Sequence, residues 1–330
     1  MKPIRRFANI SLAAVAAASF SLLATIPNAA ALEKVVVGKV VATAITFTPL
    51  DVGLKAGIWK KNGLDLEYKV FRGDAQNMQA LTAGTTQIAV SSGPALAFIH
   101  KGVPAKGVAA FANAPLNMVM LGDPKAGVKT IEDLKGKKIG VTSAGALTFW
   151  LVRETSKRKG WGVGGITPVP LGDTKSQLAA IARGDIQGRV GTLAQGIQQE
   201  EDGSANVVIK FGDVIGDFIT HVIYARNDLI AEKPQVVQSF VNGWWETVAY
   251  MKNHREESVT IAAETVKQPR EAVDKAFDTI MQMLTEADGS FKPDALKTLS
   301  RSFVELKILD SEPDMSKLYT TQFLPPKPAM

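Results

Sequence analysis

Residues 80–90 read Ala-Leu-Thr-Ala-Gly-Thr-Thr-Gln-Ile-Ala-Val, and residues 180–190 read Ala-Ile-Ala-Arg-Gly-Asp-Ile-Gln-Gly-Arg-Val. Alanine, glycine, glutamine and valine recur 100 residues apart, at positions 80/180, 84/184, 87/187 and 90/190. Each copy has the pattern of a helix that ends at a glycine, followed by a short strand. This period is too long for a solenoid repeat, so the sequence predicts two similar α/β lobes with a ligand cleft between them.

The segments around both copies alternate between strand and helix patterns. Strands are predicted at residues 35–41, 64–71, 87–90, 106–111, 138–141, 166–171, 207–211 and 218–225. Short helices between such strands are typical of a doubly wound, largely parallel α/β sheet. We expect lobe 1 to comprise residues 32–118 and 226–330 and lobe 2 to comprise residues 119–225. From residue 234 onward, apolar residues spaced by three and four predict helices.

The first 31 residues have the pattern of a secretory signal peptide. Lys2, Arg5 and Arg6 precede an apolar run from residue 8 to residue 26, and small residues lead up to Ala31. We therefore expect cleavage after Ala31 and a periplasmic location. The pair of arginines leaves open whether export uses the general secretory or the twin-arginine route.

Composition excludes several classes of function. The chain has no cysteine, which excludes disulfides and thiol chemistry. Its net charge of +6 becomes +3 without residues 1–31, which carry three basic and no acidic side chains, and this is too small to indicate nucleic-acid binding. The three histidines, His100, His221 and His254, lack metal-ligand spacing. We expect a monomer without cofactor, metal site or enzymatic activity.

Two glycine-rich stretches resemble catalytic motifs but occur in the wrong context. Residues 160–165 match the dinucleotide-binding pattern, yet they follow a predicted helix and precede a predicted strand, the reverse of the required order. Residues 140–145 resemble a serine nucleophile elbow, with one residue too many before Ser143. Neither stretch supports an enzyme.

Hydroxyl-bearing and small residues follow most of the predicted strands. In a parallel α/β sheet, ligands bind beyond the carboxyl ends of the strands, and free N–H groups at helix starts bind anions there. The alternative is that these residues only cap their own helices. The candidate ligand-binding residues in these loops are Phe47, Thr48, Gly73, Asp74, Ser91, Ser92, Thr142, Ser143, Ala144, Gly145 and Thr192.

Two residues within predicted strands complete the candidate set. Arg189 lies in an otherwise buried strand, where it either faces the cleft as the counter-charge for an anion or extends to a sheet edge. His221 lies in the strand predicted to return the chain to lobe 1, where it either faces the cleft or is a structural histidine.

Four segments, residues 56–67, 80–89, 131–141 and 228–240, resemble the periplasmic solute-binding proteins of ABC importers for nitrate, sulfonates and taurine. The resemblance implies a type II periplasmic-binding-protein fold, with two crossing strands between the lobes and hinge closure on a small solute. It also implies an inner-membrane permease as partner, and it places the loops at residues 47–48, 73–74, 91–92 and 143–145 at ligand-facing positions.

The chain departs from this family at its repeat. Members commonly have aspartate after the repeated glycine, where this chain has Gln87 and Gln187, and Gly188-Arg189 replaces a small apolar pair. These departures concern the identity of the ligand rather than the fold.

The leading functional hypothesis is an extracytoplasmic receptor for a small, anionic organic solute such as a sulfonate. Receptors for a pyrimidine, nitrate or an aromatic acid are alternatives. A pyrimidine-forming synthase of related fold is the rival from an enzyme class. The resemblance gives such synthases a cysteine-rich, metal-binding stretch, and this chain has no cysteine.

Overall fold

The strands of the computed structural model, which describes residues 31–216 and 218–324, form two five-stranded sheets. They are β1 (Glu33–Val40), β2 (Leu64–Phe71), β3 (Ile88–Ser92), β4 (Ala105–Ala112), β5 (Met118–Gly122), β6 (Lys138–Val141), β7 (Thr167–Pro170), β8 (Gly188–Thr192), β9 (Asn206–Lys210) and β10 (His221–Arg226). Except for Ala31, the expected signal peptide lies outside the described residues, as does residue 325 onward.

The two sheets share one topology. The first has the strand order β2-β1-β3-β10-β4, and the second has the order β7-β6-β8-β5-β9. In each sheet the first three strands are parallel. The fourth strand is antiparallel to both of its neighbours. This arrangement confirms the predicted fold of two doubly wound α/β lobes.

The chain crosses between the sheets twice, from β4 to β5 and from β9 to β10. Because β10 pairs with β3 and β4, it belongs to the first sheet, whereas the expected boundary at residue 225 assigned it to lobe 2. An antiparallel strand needs no crossover helix, so a chain returning from lobe 2 can enter the first sheet directly. The sheets therefore place the end of lobe 2 before residue 221.

Helices cover both sheets and dominate after residue 226, as predicted. They are α1 (Pro49–Lys55), α2 (Ile58–Lys61), α3 (Asp74–Thr82), α4 (Leu96–His100), α5 (Leu147–Arg158), α6 (Thr174–Ala182), α7 (Leu193–Glu201), α8 (Asn227–Glu232), α9 (Pro234–Asn253), α10 (Arg255–Val266), α11 (Arg270–Thr285) and α12 (Pro293–Glu305). The glycine-rich stretch at 160–165 lies between α5 and β7, the order that excludes a dinucleotide site.

Aromatic packing fixes α9 on lobe 1. Trp59 stacks on Phe240 with ring centroids 5.0 Å apart, and Trp244 lies 4.5 Å from Phe111 by the same measure. Trp244 is fully buried and is therefore a core residue. Burying aromatic side chains of this size supplies much of the hydrophobic stabilisation of a lobe.

The C-terminal segment contacts both lobes. On α12, the Ser302 hydroxyl accepts a hydrogen bond from Trp150 Nε1 of α5 at 2.7 Å. Further along, Tyr319 forms a β-bridge with Gly107 of β4. The helices after lobe 2 therefore belong to the body of lobe 1 while also holding one helix of lobe 2.

The repeated sequence has the same structure in both lobes. Gly84 and Gly184 end α3 and α6 with φ values of +72° and +77°. After each glycine a backbone N–H returns to the helix, from residue 85 to the Ala80 carbonyl and from residue 185 to the Ala180 carbonyl, at 3.0 and 2.9 Å. These bonds form the glycine-ended helix terminus that the sequence predicts.

Gln87 and Gln187 form equivalent hydrogen bonds at the starts of β3 and β8. The side-chain oxygen of Gln87 accepts a hydrogen bond from Val36 N at 2.7 Å, and that of Gln187 accepts one from Lys138 N at 3.0 Å. Each glutamine also donates its backbone N–H to the backbone carbonyl of the same partner residue. The glutamines therefore join neighbouring strands, at the end of each sheet that lies away from the cleft.

We expect Gly184→Ala to destabilise the protein by about 1 kcal/mol, because its left-handed backbone is unfavourable for any residue with a Cβ. An added Cβ at Gly184 would meet no atom within 4 Å, so the loss is purely conformational. Urea unfolding gives the free energy. Gly164→Ala is the matched control, because that site is equally open and lacks a positive φ. Equal losses in both variants would contradict this account.

Candidate functional site

A cavity of about 70 Å³ lies between the lobes, at the carboxyl ends of β1, β3, β6 and β8. One water molecule needs roughly 10–15 Å³ of such space, so the cavity has room for on the order of five waters or one compact solute. It is lined by Val40, Val41, Thr43, Ala44, Thr46, Phe47, Asp74, Ser92, Met118, Thr142, Leu147, Thr148, Thr174, Gln177, Arg189, Val190, Gly191, Thr192, Gln195 and His221.

Asp74 forms part of the lobe 1 wall. Gly73 precedes it with φ of +150°, and a Cβ there would lie 3.0 Å from the Ser143 hydroxyl of lobe 2. Asp74 Oδ1 accepts hydrogen bonds from Ser91 Oγ at 2.5 Å and from Ser92 N at 2.8 Å. Burial raises the pKa of Asp74, and these two donors partly oppose that effect. The turn thus holds a carboxyl group against the cavity.

Arg189 forms the floor on lobe 2 and is only 1% exposed. Its Nη1 donates to Gln195 Oε1 at 3.0 Å, and its Nη2 donates to Gln199 Oε1 at 3.3 Å. Both acceptors are neutral amides, and the ion pairs among the described residues do not include Arg189. Burial lowers its pKa to about 10, so the group is cationic at neutral pH. A buried cation with neutral partners favours an anion in the cavity.

His221 packs between two aromatic rings at the back of the cavity. Its ring centroid is 5.2 Å from that of Phe47 and 5.5 Å from that of Phe111. Burial lowers its pKa to about 3, because the charged imidazole would lose its hydration. The neutral ring therefore presents polar nitrogens and an apolar face without adding charge to the site.

Acidification should destabilise the protein through His221. The unfolded chain takes up a proton near pH 6.5, whereas the folded chain stays neutral down to about pH 3, so stability falls as pH falls through that window. We expect His221→Phe to remove about 3 kcal/mol of the loss between pH 7 and pH 4, measured by urea unfolding. His100→Gln changes an exposed histidine and should keep the full loss. An unaltered pH dependence in His221→Phe would contradict the assignment.

Several buried polar atoms in the cavity wall have no hydrogen-bond partner among the described residues. They are Ser92 Oγ, Gln177 Oε1, Arg189 Nε and His221 Nδ1. An unpartnered buried polar atom costs about 1–3 kcal/mol, so native proteins rarely leave several in one place without a bound molecule to satisfy them. Their clustering supports this cavity as the binding site.

The structure brings most predicted site residues to the cavity and leaves others outside it. The lining includes Phe47, Asp74, Ser92, Thr142, Arg189, Thr192 and His221. Thr48 and Ser91 are fully buried, and their hydroxyls donate to the Ile45 carbonyl and to Asp74. Gly73, Ser143 and Ala144 line an open groove beside the cavity, and Gly145 lines another. Arg189 and His221, for which the sequence left two positions open, both line the cavity, and Arg189 also borders a groove formed by lobe 2 alone.

Sequence reasoning missed four polar residues of the lobe 2 wall, which are Thr148, Thr174, Gln177 and Gln195. Thr174 and Gln177 lie one repeat period, 100 residues, after Asp74 and Asn77, so the repeat itself could have identified them. Gln195 follows Thr192 by three residues, and the two form a capping box at the start of α7. Val41 also lines the cavity and has a φ of +53°. The sequence does not predict this value, because a β-branched residue rarely adopts a positive φ.

A clasp of polar contacts joins the lobes beside the cavity. Arg72 of lobe 1 pairs with Asp173 at 2.9 Å and donates to Ser176 Oγ at 2.7 Å and to the Leu171 carbonyl at 3.0 Å. Because all three partners belong to lobe 2, these bonds exist only while the lobes are together. The clasp therefore stabilises the arrangement in which the cavity is closed.

We expect Arg72→Ala to weaken solute binding about tenfold, because it removes an exposed ion pair and two hydrogen bonds specific to the closed arrangement. Isothermal titration calorimetry with any solute that binds measures the change. Lys69→Ala, an exposed substitution on the same strand, should bind normally. If both variants bind like the unmodified protein, the clasp does not contribute to closure.

In the part of the chain that the structure describes, no group of three potential metal-ligating side chains comes together. The described helices are also too short or too polar for any of them to traverse a bilayer.

Comparison with known proteins agrees with this geometry. The model of the family described as NMT1/THI5 like matches residues 44–258. A Brucella abortus (strain 2308) protein, named as a binding protein, is 28% identical over 235 residues, which is 68% of each chain.

Solved structures show the same fold. The alkanesulfonate-binding protein SsuA from Xanthomonas axonopodis pv. citri, bound to MOPS, has a TM-score of 0.76 at 16% identity, covering 88% of this chain and 99% of its own. The periplasmic nitrate-binding protein NrtA from Synechocystis PCC 6803 has a TM-score of 0.64 at 15% identity, covering 73% and 69%. At these identities the likeness establishes the architecture of two lobes around a cleft.

Proposed function

The chain belongs to the NMT1/THI5-like family, and we propose that it is an extracytoplasmic solute receptor of an ABC importer that binds a small organic anion. The buried side chain of Arg189, which lines the cavity between the lobes and has only neutral partners, carries this proposal. The predicted signal peptide and the likeness to binding proteins support the cellular role. The proposed partners are the solute and an inner-membrane permease, with the receptor acting as a monomer.

An anion in the cavity would supply the negatively charged partner that Arg189 lacks. Two opposite charges about 4 Å apart attract by roughly 4 kcal/mol at an effective dielectric constant of 20. Arg189 Nε is buried without a partner among the described residues and could donate to the same anion. The hydroxyls of Thr142 and Thr192 on lobe 2 and of Ser92 on lobe 1 line the same cavity and add neutral donors. A sulfonate or carboxylate accepts several such hydrogen bonds at once.

Hinge closure explains how such a receptor holds and signals its solute. A solute in the cavity contacts residues of both lobes, so it binds the closed arrangement better than the open one and shifts the population toward it. The Arg72 clasp adds contacts that form only on closure. We propose that the permease distinguishes the closed, loaded receptor from the open one. No covalent step is needed for this role.

The cavity volume separates the anion hypothesis from its rivals. Room for on the order of five waters suits a short sulfonate, a short carboxylate or nitrate better than a pyrimidine or an aromatic acid. A thermal-shift screen of the protein against these five classes tests the assignment. A solute at about 100 times its dissociation constant should stabilise the protein by about 2.7 kcal/mol. If only uncharged or aromatic solutes raise the melting temperature, the anion hypothesis is wrong.

We expect Arg189→Gln to weaken binding of the anion found in that screen by about hundredfold, because charge-assisted hydrogen bonds are lost while side-chain polarity is retained. Calorimetric titration provides the dissociation constants. Arg183→Gln is the matched control, since Arg183 is an exposed arginine of lobe 2 that pairs with Asp185 at 2.7 Å outside the cavity. Normal affinity in Arg189→Gln would remove Arg189 from the site.

A further inference from the structure

Asp74 is the acidic residue among those that line the cavity, and it shares this small space with Arg189. The two side chains come from opposite lobes and do not form an ion pair with each other, although both are almost fully buried. A solute that fills the cavity must therefore meet both groups. If Arg189 binds the anionic end of the solute, Asp74 contacts the other end.

The two carboxyl oxygens of Asp74 are in different situations. Oδ1 accepts the Ser91 hydroxyl and the Ser92 N–H. Oδ2 receives no hydrogen bond from the residues that the structure describes, while the residue itself borders the cavity. A carboxyl oxygen at the wall of a small cavity has little access to bulk water, and a donor on the solute would satisfy it.

We propose that Asp74 selects solutes that carry a hydroxyl or amino hydrogen-bond donor in addition to the anionic group held by Arg189. This inference rests on the proposed function and specifies its substrate class. The small cavity places the donor within a few bonds of the anionic group, as in two- or three-carbon hydroxy or amino acids and their sulfonate counterparts.

The electrostatics of the turn are consistent with this selection. Burial raises the pKa of Asp74, and hydrogen bonds from Ser91, Ser92 and the backbone of Asp74 itself only partly oppose that effect. A hydroxyl or ammonium group on Oδ2 would favour the ionised form. A solute without a donor leaves Oδ2 unpaired, and sites built to bind a polar group reject analogues that lack it.

Calorimetric titrations with two matched pairs test the inference. Each pair differs by one hydroxyl: propionate and lactate, and ethanesulfonate and isethionate, with β-alanine as the amino analogue of propionate. We expect the protein to bind the donor-bearing member of at least one pair about tenfold more tightly or better. The two pairs also show whether the anionic group is a carboxylate or a sulfonate.

Asp74→Asn then assigns the discrimination to one atom. Asparagine keeps an acceptor for Ser91 and Ser92 but presents an NH₂ group in place of Oδ2. We expect the ratio of affinities within each pair to fall to about one, whatever the change in affinity for the donor-free anions. Asp65→Asn, the same change at an exposed aspartate of lobe 1 outside the cavity, should keep the preference.

The outcomes separate this inference from the proposed function. Equal affinity for both members of each pair in the unmodified protein overturns the role of Asp74 and leaves the anion receptor intact. A preference that persists in Asp74→Asn also overturns it. If no member of either pair binds, the proposed class of short organic anions fails, and the inference fails with it.

Discussion

A guanidinium buried without a carboxylate partner constrains the structure of lobe 2. Arg189 fits into β8 because Gly191, two residues further along the strand, has no side chain: a Cβ there would lie 2.9 Å from Arg189 Nη1. Gln195 serves two purposes, since its side-chain oxygen accepts from Arg189 and from Thr192 N. The strand β8, the start of α7 and the Arg189 side chain therefore depend on one another. Because the buried guanidinium has lost its hydration, it needs each of these hydrogen bonds.

Lobe 1 contains a buried cation of a different kind. Lys39 in β1 is 1% exposed and pairs with Asp51 at 2.9 Å, and Tyr68 donates its hydroxyl to the same carboxylate. That cation is neutralised within the lobe and has a structural role. At the position one repeat period before Arg189, lobe 1 has the buried Ala89. Among the described residues, these two buried cations differ in that Lys39 of lobe 1 has an ionic partner and Arg189 of lobe 2 has none, although the two lobes share one topology.

Periodicity and glycine positions predicted the two lobes, because helix ends and buried strands leave strong local signals. Lys138–Val141 has the bounds that the sequence predicts, and helices occupy the chain from residue 234 onward as expected. The sequence predicted a strand that returns the chain to lobe 1, but it could not give the neighbours of β10, since these depend on pairing between strands far apart in the chain. It also could not decide whether Arg189 faces the cleft, because alternation in a strand buried on both faces carries no direction.

The hydrogen bonds of Gln87 and Gln187 lie at the starts of β3 and β8, whereas Ser92 and Thr192, at the other ends of the same strands, line the cavity. The glutamines that the two copies share therefore join strands of the scaffold, and Arg189, at one of the positions where the copies differ, lines the cavity. Residues that join the strands and residues that line the cavity therefore lie at opposite ends of one short strand. A receptor organised in this way can acquire a new specificity through the last few residues of each strand, without altering the contacts that assemble the lobe.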